Sequence, residues 1–403
     1  MWGACFYFPR VWTITGIGQA DKPFLDLRNI LSAGESAQHG LDPYLHNPYD
    51  PYNRRHGYTD WLLVTGTMGI TMADTIWVGT LLIGLTLVST VLLVRPADWR
   101  EGRLLILFLV SPPLVMAINR ANHDLLVYVI MCVALACFRV ERGPFRWLGV
   151  VLLAACAALK YFPLAAGILL FEARTRRGLL GLGLLYGVVL LLAWPALERG
   201  LHNAFLHQPA PSWLYAFGAP VIFRDFDLIA PIGWLRAGML ILAGAASWTA
   251  LKAGATTATE GVARNHEREF ACGAVMVVGC FLHGSSYIYK MVFAAWLLPS
   301  LWRSMPTKRE DRWRKTTLGL LLAVLWLEGI MAILINVFVF AGVLKLAAAD
   351  ILLKLTLVSS QLLSYALVLC LFRSLLLYLA QQAQRLAGPA PLPSPISATA
   401  SDA

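Results

Sequence analysis

The chain has 403 residues, of which 58% are hydrophobic and only 14% are charged, and its formal net charge is +10. Soluble domains carry about 25% charged and about 45–50% apolar residues. Because this much apolar side chain cannot be buried in one water-soluble core, the composition excludes a soluble enzyme, a disordered chain and collagen. The remaining class is a multi-pass membrane protein. Its positive charge is then interpreted as a signal of membrane orientation and not of a nucleic-acid partner.

The N-terminal region, residues 1–73, is expected to be an outer loop region with interfacial helices. Residues 1–20 are aromatic, but Pro9 and Arg10 interrupt them. The stretch is too short to span a bilayer and lacks the layout of a cleavable signal peptide. We interpret it as a truncated first transmembrane helix or an interfacial aromatic segment.

Acidic and basic residues alternate over residues 21–60, and the apolar positions within 27–39 predict a short amphipathic helix lying on the membrane. A turn-rich stretch follows from Gly40 to Tyr52. Asp21 and Asp26 share this loop, but two carboxylates are weak grounds for a metal. No metal site and no cofactor are therefore predicted.

Residues 74–380 are expected to form a polytopic transmembrane domain of about nine to eleven transmembrane or re-entrant helices. A full span needs about 20 apolar residues, and several runs are shorter. The apolar runs are 74–94, 103–118, 122–138, 146–171, 178–196, 229–250, 269–283, 287–302, 316–343 and 351–379.

The run 146–171 is interrupted by Lys160 and Pro163. Proline removes a helix donor, and a lysine at mid-membrane depth is costly. We therefore expect a short helical hairpin with its tip at Lys160.

Basic residues are concentrated in one set of connecting loops, which holds 18 of the 33 Lys and Arg residues. The positive-inside rule places this set in the cytoplasm and the N-terminal region outside. The basic loops are 95–103, 139–146, 172–178, 251–268 and 303–315.

Three further outer segments place polar residues at bilayer edges: 119–124, Lys160 with Tyr161, and 283–290. A cation at a helix end can simply extend to the lipid headgroups. Three such segments beside an acid-rich loop indicate an anion site at the interface. This arrangement suits glycosyl transfer, in which a carboxylate takes the proton of an acceptor hydroxyl and cations stabilise a leaving phosphate.

Four motifs resemble the GT-C superfamily of membrane glycosyltransferases, and within it glycosyltransferase family 87 (DUF2029). They are Asp26-Leu27-Arg28 with Gly40-Leu41-Asp42-Pro43-Tyr44; Ser111-Pro112-Pro113 with Asn119-Arg120-Ala121-Asn122-His123-Asp124; Ala158-Leu159-Lys160-Tyr161-Phe162-Pro163-Leu164; and Gly284-Ser285-Ser286-Tyr287-Ile288-Tyr289-Lys290. The likeness covers roughly residues 20–300. Ala121 replaces the family's usual glycine, and Lys290 replaces its usual arginine.

The resemblance implies a GT-C-like fold and an inverting hexosyltransferase. Its donor would be a polyprenyl phosphate carrying a mannose-like hexose, and its acceptor a hydroxyl of a glycan or glycolipid. The reaction would take place on the outer, periplasmic or extracytoplasmic, face of the cell membrane. Lipids would be its other partners.

The same resemblance implies the roles of individual residues. Asp26 would be the catalytic base, because it precedes the amphipathic helix at the family's spacing. Its position gives Lys160 a separate role: a lysine between two apolar half-helices must hold its charge near water or near an anion, so Lys160 is expected to contact the donor phosphate, assisted by Arg120, His123 and Lys290. The full set of expected substrate-binding residues is Arg28, Asp42, Arg120, Asn122, His123, Asp124, Lys160, Tyr161, His283, Tyr289 and Lys290.

Two other functions remain open. A transporter or lipid flippase would use Glu328, since an acid deep in an apolar run is a functional hypothesis by default; a hydrogen bond to a neighbouring helix is the simpler interpretation. The third possibility is an inactive membrane scaffold.

Two features are expected to have no chemistry. The Pro- and Ser-rich residues 381–403 predict a disordered cytoplasmic tail. The seven cysteines form no metal-binding spacing, and six lie in apolar runs, which predicts small packing residues.

Overall fold

The structure is a computed structural model of the chain. It describes residues 23–140, 143–173, 175–207, 215–221, 232–252, 262–283, 286–303 and 308–387. The N-terminal aromatic stretch, Asp21 and the tail from residue 388 onward lie outside the described residues.

The described chain is mostly helical. Its α-helices are α1 (Leu25–Gln38), α2 (Val64–Thr67), α3 (Thr75–Val94), α4 (Trp99–Leu109), α5 (Pro112–Arg120), α6 (Asp124–Arg139), α7 (Gly143–Leu159), α8 (Arg176–His207), α9 (Ile232–Lys252), α10 (Val262–His283), α11 (Leu298–Trp302), α12 (Lys308–Phe340) and α13 (Leu346–Ala387). Its 3₁₀ segments are Asp60–Leu63, Met72–Asp74, Phe162–Glu172 and Ile288–Leu297. Two short antiparallel strands, β1 (Ala216–Phe217) and β2 (Ser286–Tyr287), pair with each other.

Four of the described helices are long and apolar enough to cross a membrane, and they lie in α3, α8, α12 and α13. Helices α4 and α5 add a fifth span if the pair, bent by 55°, is counted as one. The bend falls at Ser111, whose backbone is extended directly before Pro112. A residue that precedes proline avoids helical geometry. The all-α membrane class predicted from composition is therefore confirmed.

Each apolar run predicted from the sequence contains helix, but most of these helices are not full spans. Some, such as α7 and the 3₁₀ segment Phe162–Glu172, are too short. Helix α10 carries Glu267, Arg268 and Glu269 near its start. The expected total of nine to eleven segments thus includes helices that cannot cross a bilayer on their own, because apolar runs also form the buried core.

Helix α1 is buried on both faces, unlike the amphipathic surface helix expected over 27–39. The following loop covers its polar side: Asn29 Nδ2 donates to Asp50 Oδ2 at 3.2 Å, and Ser36 Oγ donates to Asn47 Oδ1 at 2.8 Å. The prediction of a helix is confirmed, but the prediction of an exposed polar face is wrong. Polar residues paired with a loop have the same periodicity as polar residues that face water.

Helix α1 packs against α2 through two glycines. A Cβ atom on Gly34 would lie 2.3 Å from Thr65 Oγ1 and 2.7 Å from the Gly66 nitrogen, and one on Gly66 would lie 2.0 Å from the Gly34 oxygen. Only glycine allows the two backbones to approach this closely. The contact fixes the position of α1 relative to the start of the transmembrane domain.

The predicted break at Lys160 is present. Helix α7 ends at Leu159, and a 3₁₀ segment begins at Phe162 with Pro163 as its second residue. This segment packs back against α7. The chain therefore turns at Lys160, as the hairpin prediction required.

Helix α13 continues to Ala387, so the prediction that the disordered tail begins at 381 is wrong for residues 381–387. A buried network fixes these turns: the Tyr378 hydroxyl and Gln382 Nε2 both donate to Glu172 Oε1, the latter at 3.3 Å. Arg268 Nη2 donates to the other Glu172 oxygen at 3.1 Å. Gln382, one of the polar residues assigned to the tail, is therefore bonded inside the protein.

The six described cysteines are buried and unpaired, which confirms the prediction of packing residues. They are Cys132, Cys137, Cys156, Cys272, Cys280 and Cys370.

Candidate functional site

The charged residues of four distant sequence segments meet in one buried cluster. The start of α1 supplies Asp26, the corner between α5 and α6 supplies Arg120 to Asp124, and the hairpin tip supplies Lys160. The first turn of the 3₁₀ segment after β2 supplies Lys290. We call this set of residues the charged cluster.

Asp26 is 4% exposed and both of its oxygens accept hydrogen bonds. Arg120 donates from Nη2 to Oδ1 at 2.7 Å and from Nε to Oδ2 at 2.8 Å, and Asn122 Nδ2 donates to Oδ2 at 2.6 Å. Burial alone would raise the pKa of Asp26, but the charge and hydrogen bonds of Arg120 and Asn122 outweigh burial and lower it. Asp26 is therefore a carboxylate at neutral pH.

Backbone geometry positions the Asp26–Arg120 pair. Phe24 precedes α1 in a left-handed conformation (φ 62°), and its amide donates to the Asn119 carbonyl at 3.0 Å. Ala121 ends α5 in the same left-handed region (φ 41°). Such a conformation ends many helices and favours glycine, the residue expected from the family pattern at this position. The turn at Ala121 brings Asn122 alongside Asp26.

A second ion pair joins Lys160 to Asp124. Lys160 Nζ donates to Asp124 Oδ1, and both residues are buried. The other carboxylate oxygen, Oδ2, has no hydrogen-bond partner among the described residues. One acceptor of this pair is thus left without a donor from the described part of the protein.

His123 lies between the two ion pairs and is 2% exposed. Its ring contacts the Tyr58 ring edge-on at 4.2 Å between centroids, and its Nε2 lies 3.9 Å from Asp124 Oδ1. Neither ring nitrogen makes a hydrogen bond to a described residue. A buried imidazole without such a bond has its polar atoms available to a ligand.

Lys160 and Lys290 lie next to the same aromatic ring. Their Nζ atoms are 5.3 Å and 5.1 Å from the centroid of Phe162. Lys290 is 8% exposed and makes no hydrogen bond or ion pair with the part of the chain that the structure describes. Because Arg120 is paired with Asp26 and Lys160 with Asp124, Lys290 leaves the charged cluster with an excess positive charge.

Three of the remaining predicted residues line the outer part of the cluster. The Tyr161 ring lies 4.5 Å from the ring of His283, which is exposed. Tyr289 stacks on Tyr287 at 5.6 Å, and the Arg120 guanidinium lies 5.2 Å from the Tyr287 ring centroid. The aromatic pair Tyr287–Tyr289 therefore borders the Asp26 side of the cluster.

Arg28 and Asp42 do not join the cluster, so the prediction that they bind substrate has no support in the geometry. Arg28 Nε donates to the Pro23 carbonyl at 2.8 Å and braces the start of α1. Asp42 is exposed, and its Oδ1 accepts from the Tyr44 amide at 2.9 Å, which closes a turn. Both residues belong to the first sequence motif because that motif spans the start of α1 and the turn at residues 40–44.

Arg54 is a residue that the motifs missed. Its Nη2 donates to Asp50 Oδ2 and to the Leu25 carbonyl, each at 2.7 Å, and its Nη1 lies 4.0 Å from Asp26 Oδ1. The sequence signal for Arg54 was its position as a basic residue in an acid-rich loop. The spacing of the charged residues did not indicate that this loop folds back over α1. Arg54 gives Asp26 a second cationic neighbour.

Within the described residues, no group of three or more His, Cys, Asp or Glu side chains could hold a metal ion. The chemistry that the cluster offers is that of a buried carboxylate beside cations: it can accept a proton and can bind an anion.

No protein-family model, curated protein or solved structure matches the chain.

Proposed function

We propose that this protein is an integral membrane glycosyltransferase of the GT-C type, acting on the outer face of the cell membrane. It would transfer a hexose, mannose-like by the family resemblance, from a polyprenyl phosphate to a hydroxyl of a glycan or glycolipid. The observation that carries the proposal is the charged cluster itself. Four motifs, noticed separately in the sequence, contribute to a single buried set of acids and cations.

The cation excess supports a phosphate as the ligand. Lys290 makes no ion pair with a described residue, and Lys160 lies next to the same ring. An ammonium group in a partly dehydrated site is stabilised by an anion. A polyprenyl carrier would keep its lipid in the bilayer beside the apolar helices while its phosphate reaches these lysines.

Asp26 is the proposed base. The acceptor oxygen would attack the anomeric carbon as the bond from that carbon to the phosphate oxygen breaks, and Asp26 would take the hydroxyl proton. The electron pair of the broken bond leaves on the phosphate, where Lys160 and Lys290 balance its charge. Since Arg120 and Asn122 occupy both Asp26 oxygens, the acceptor hydroxyl must share or displace one of these hydrogen bonds.

The transporter and scaffold alternatives have less support. Glu328, the residue that favoured transport, accepts a hydrogen bond from the Tyr215 amide at 2.6 Å, which agrees with its simpler, structural interpretation. A scaffold would not need a buried cluster with an unpaired lysine, because isolated buried charge destabilises a protein.

The deciding experiment measures release of polyprenyl phosphate in membranes that contain the protein. Candidate polyprenyl phosphate hexoses are supplied with an acceptor extract, and the freed lipid phosphate is quantified. Wild-type membranes should release it, and Asp26→Asn should reduce turnover by at least about 10²-fold while folding is retained. The matched control is Asp350→Asn, which alters an exposed acid paired with Lys354. Absence of release with every donor, or equal rates for both variants, would contradict the proposal.

A further inference from the structure

Glu328 lies in the membrane-spanning part of α12 and is 2% exposed, but the charged cluster does not include it. Its Oε2 accepts a hydrogen bond from the backbone amide of Tyr215 at 2.6 Å. No cation pairs with Glu328 among the described residues. A buried carboxylate without a paired cation needs an explanation.

The partner of Glu328 is a short buried segment, residues 215–221, which α12 and α13 hold by its backbone. Besides the Glu328 contact, Gln361 Nε2 donates to the Ala216 carbonyl at 2.8 Å. The Tyr365 hydroxyl donates to the Ala219 carbonyl. Three side chains of the last two helices thus bond the main chain of this segment.

The opposite edge of the same segment bonds the chain that leads to Lys290. Strand β1 pairs with β2, with Ala216 opposite Tyr287. The Ile288 amide donates to the Tyr215 carbonyl at 2.8 Å, and the Ala219 amide donates to the Phe281 carbonyl at 2.8 Å. Residues 215–219 therefore lie between α12 and α13 on one side and the end of α10 with β2 on the other.

The far side of β2 reaches the charged cluster. The Tyr287 ring lies under the Arg120 guanidinium, and Tyr289 stacks on Tyr287. Lys290, which makes no ion pair with a described residue, is two residues beyond Ile288, whose amide is bonded to Tyr215. A displacement of Tyr215 would move the backbone that carries these side chains.

Tyr215 is itself in a conformation that needs support. Its φ of 60° is left-handed, a conformation that strains a residue with a Cβ atom. A hydrogen bond from its amide to a buried acceptor helps to offset this strain, whether or not the acceptor is charged. The Tyr215 amide and carbonyl bond to Glu328 and Ile288, so both sides of the strained residue are held.

We propose that Glu328 is a positioning residue. Through the Tyr215 amide it fixes β1, and through β1 it fixes β2, the placement of Tyr287 beside Arg120 and the placement of Lys290 beside Phe162. Its role requires a hydrogen-bond acceptor at this place and no titration. The consequence for catalysis rests on the proposed function, but the structural coupling does not.

The test uses two variants that differ in one property. Glu328→Gln keeps an acceptor oxygen but cannot carry charge, and Glu328→Leu removes the acceptor. Hydrogen exchange by mass spectrometry should show at least about tenfold faster exchange in Glu328→Leu for amides of residues 215–219 and 286–290. Exchange in α1 should be unchanged. Glu328→Gln should match wild type at all of these amides.

The control is Thr356→Val, which removes a buried hydroxyl of α13 that bonds only within its own helix, to the Leu352 carbonyl. Its exchange should equal that of wild type. Should Glu328→Leu fail to fold, Gln361→Leu removes the neighbouring tether of β1 and should loosen the same two segments. Wild-type exchange in the variant that folds would overturn the proposal.

The second readout is binding of a polyprenyl phosphate, measured by native mass spectrometry. Glu328→Leu should weaken binding about tenfold, and Glu328→Gln should restore it. If Glu328→Gln is as impaired as Glu328→Leu in both measurements, the charge is essential and the positioning role is wrong. If wild-type protein binds no polyprenyl phosphate, the proposed function fails, while the exchange measurement still decides the role of Glu328.

Discussion

Asp26 and Arg120 stand 94 residues apart in the sequence and form a two-point ion pair in the interior of the protein. The pair joins the first turn of α1 to the last turn of α5, so that the N-terminal region and the helices that follow it share an electrostatic contact. Its energetic weight can be measured by removing either partner.

Replacement of Arg120 by Met should destabilise the protein by about 3–5 kcal/mol, because it leaves the Asp26 carboxylate buried without its main counter-charge. The double variant Asp26→Asn with Arg120→Met should recover a large part of this loss. Thermal unfolding in detergent would measure both. Equal destabilisation of the single and double variants would show that the pair contributes little.

Lys160 and Lys290 should respond differently to the same substitution. Lys160→Met leaves the buried Asp124 unpaired and should lower the free energy of unfolding by about 3–5 kcal/mol. Lys290→Met removes a cation that makes no ion pair with a described residue, so stability should be retained while polyprenyl phosphate binding weakens about tenfold. Arginine at either position should keep part of the binding, since the charge survives. Thermal unfolding and lipid binding, measured side by side, separate the two roles.

The glycine contact between α1 and α2 predicts a specific intolerance. Gly34→Ala would place a methyl group 2.3 Å from Thr65 Oγ1, and overpacking of this kind costs about 1–3 kcal/mol. Gly84→Ala is the matched control, because Gly84 lies in helix α3 with open space around its Cβ position. Thermal unfolding should show a loss for Gly34→Ala and none for Gly84→Ala.

His56 predicts how stability changes with pH. Burial lowers the pKa of His56 to about 4, whereas an exposed histidine titrates near 6.5. Between pH 6.5 and about 4 the unfolded chain binds a proton that the folded chain does not, so the free energy of unfolding falls as the pH falls. The loss is about 3 kcal/mol and is absent above pH 6.5.

A pH series of unfolding temperatures for wild type and His56→Gln would measure this effect. The variant should be less sensitive to acid across the window. His46→Gln, at an exposed position of the same loop, serves as the control and should behave as wild type. Parallel curves for wild type and His56→Gln would contradict the prediction.

Membrane orientation can be tested with two equally exposed positions. Leu45 is 70% exposed in the N-terminal region, and Trp99 is 69% exposed within the basic loop 95–103. In a Cys5→Ser background, an impermeant maleimide applied to intact cells should label Leu45→Cys but not Trp99→Cys. Trp99→Cys should react after permeabilisation. Labelling of both in intact cells would refute the orientation inferred from the basic loops.

Much of the architecture could be predicted because hydropathy and proline act locally. The apolar runs became helices, and the chain turns at Lys160 as its charge and Pro163 require. The charged residues Asp26, Arg120 and Lys160 could be identified from the sequence because a charge next to an apolar run needs either a partner of opposite charge or contact with water. These features depend on residues close together in the sequence.

The parts that could not be predicted depend on which distant segments meet. The polar residues of α1 are covered by their own loop through Asn47 and Asp50, and no periodicity reports such a cover. Arg54 reaches Asp26 through the same fold-back. The strand pair that holds Tyr215 has two residues on each side, which is too short for a sequence signal.

The ammonium groups of Lys160 and Lys290 lie next to the ring of Phe162. Their proximity affects the stability of the whole protein. Like charges repel in a medium of low dielectric constant, and any anion that settles between them removes part of this repulsion only in the folded state. A ligand that binds the folded state alone raises its stability by RT ln(1 + [L]/Kd). The unfolding temperature of this protein should therefore rise with the concentration of any anion that binds between these lysines, so that melting curves can screen candidate ligands.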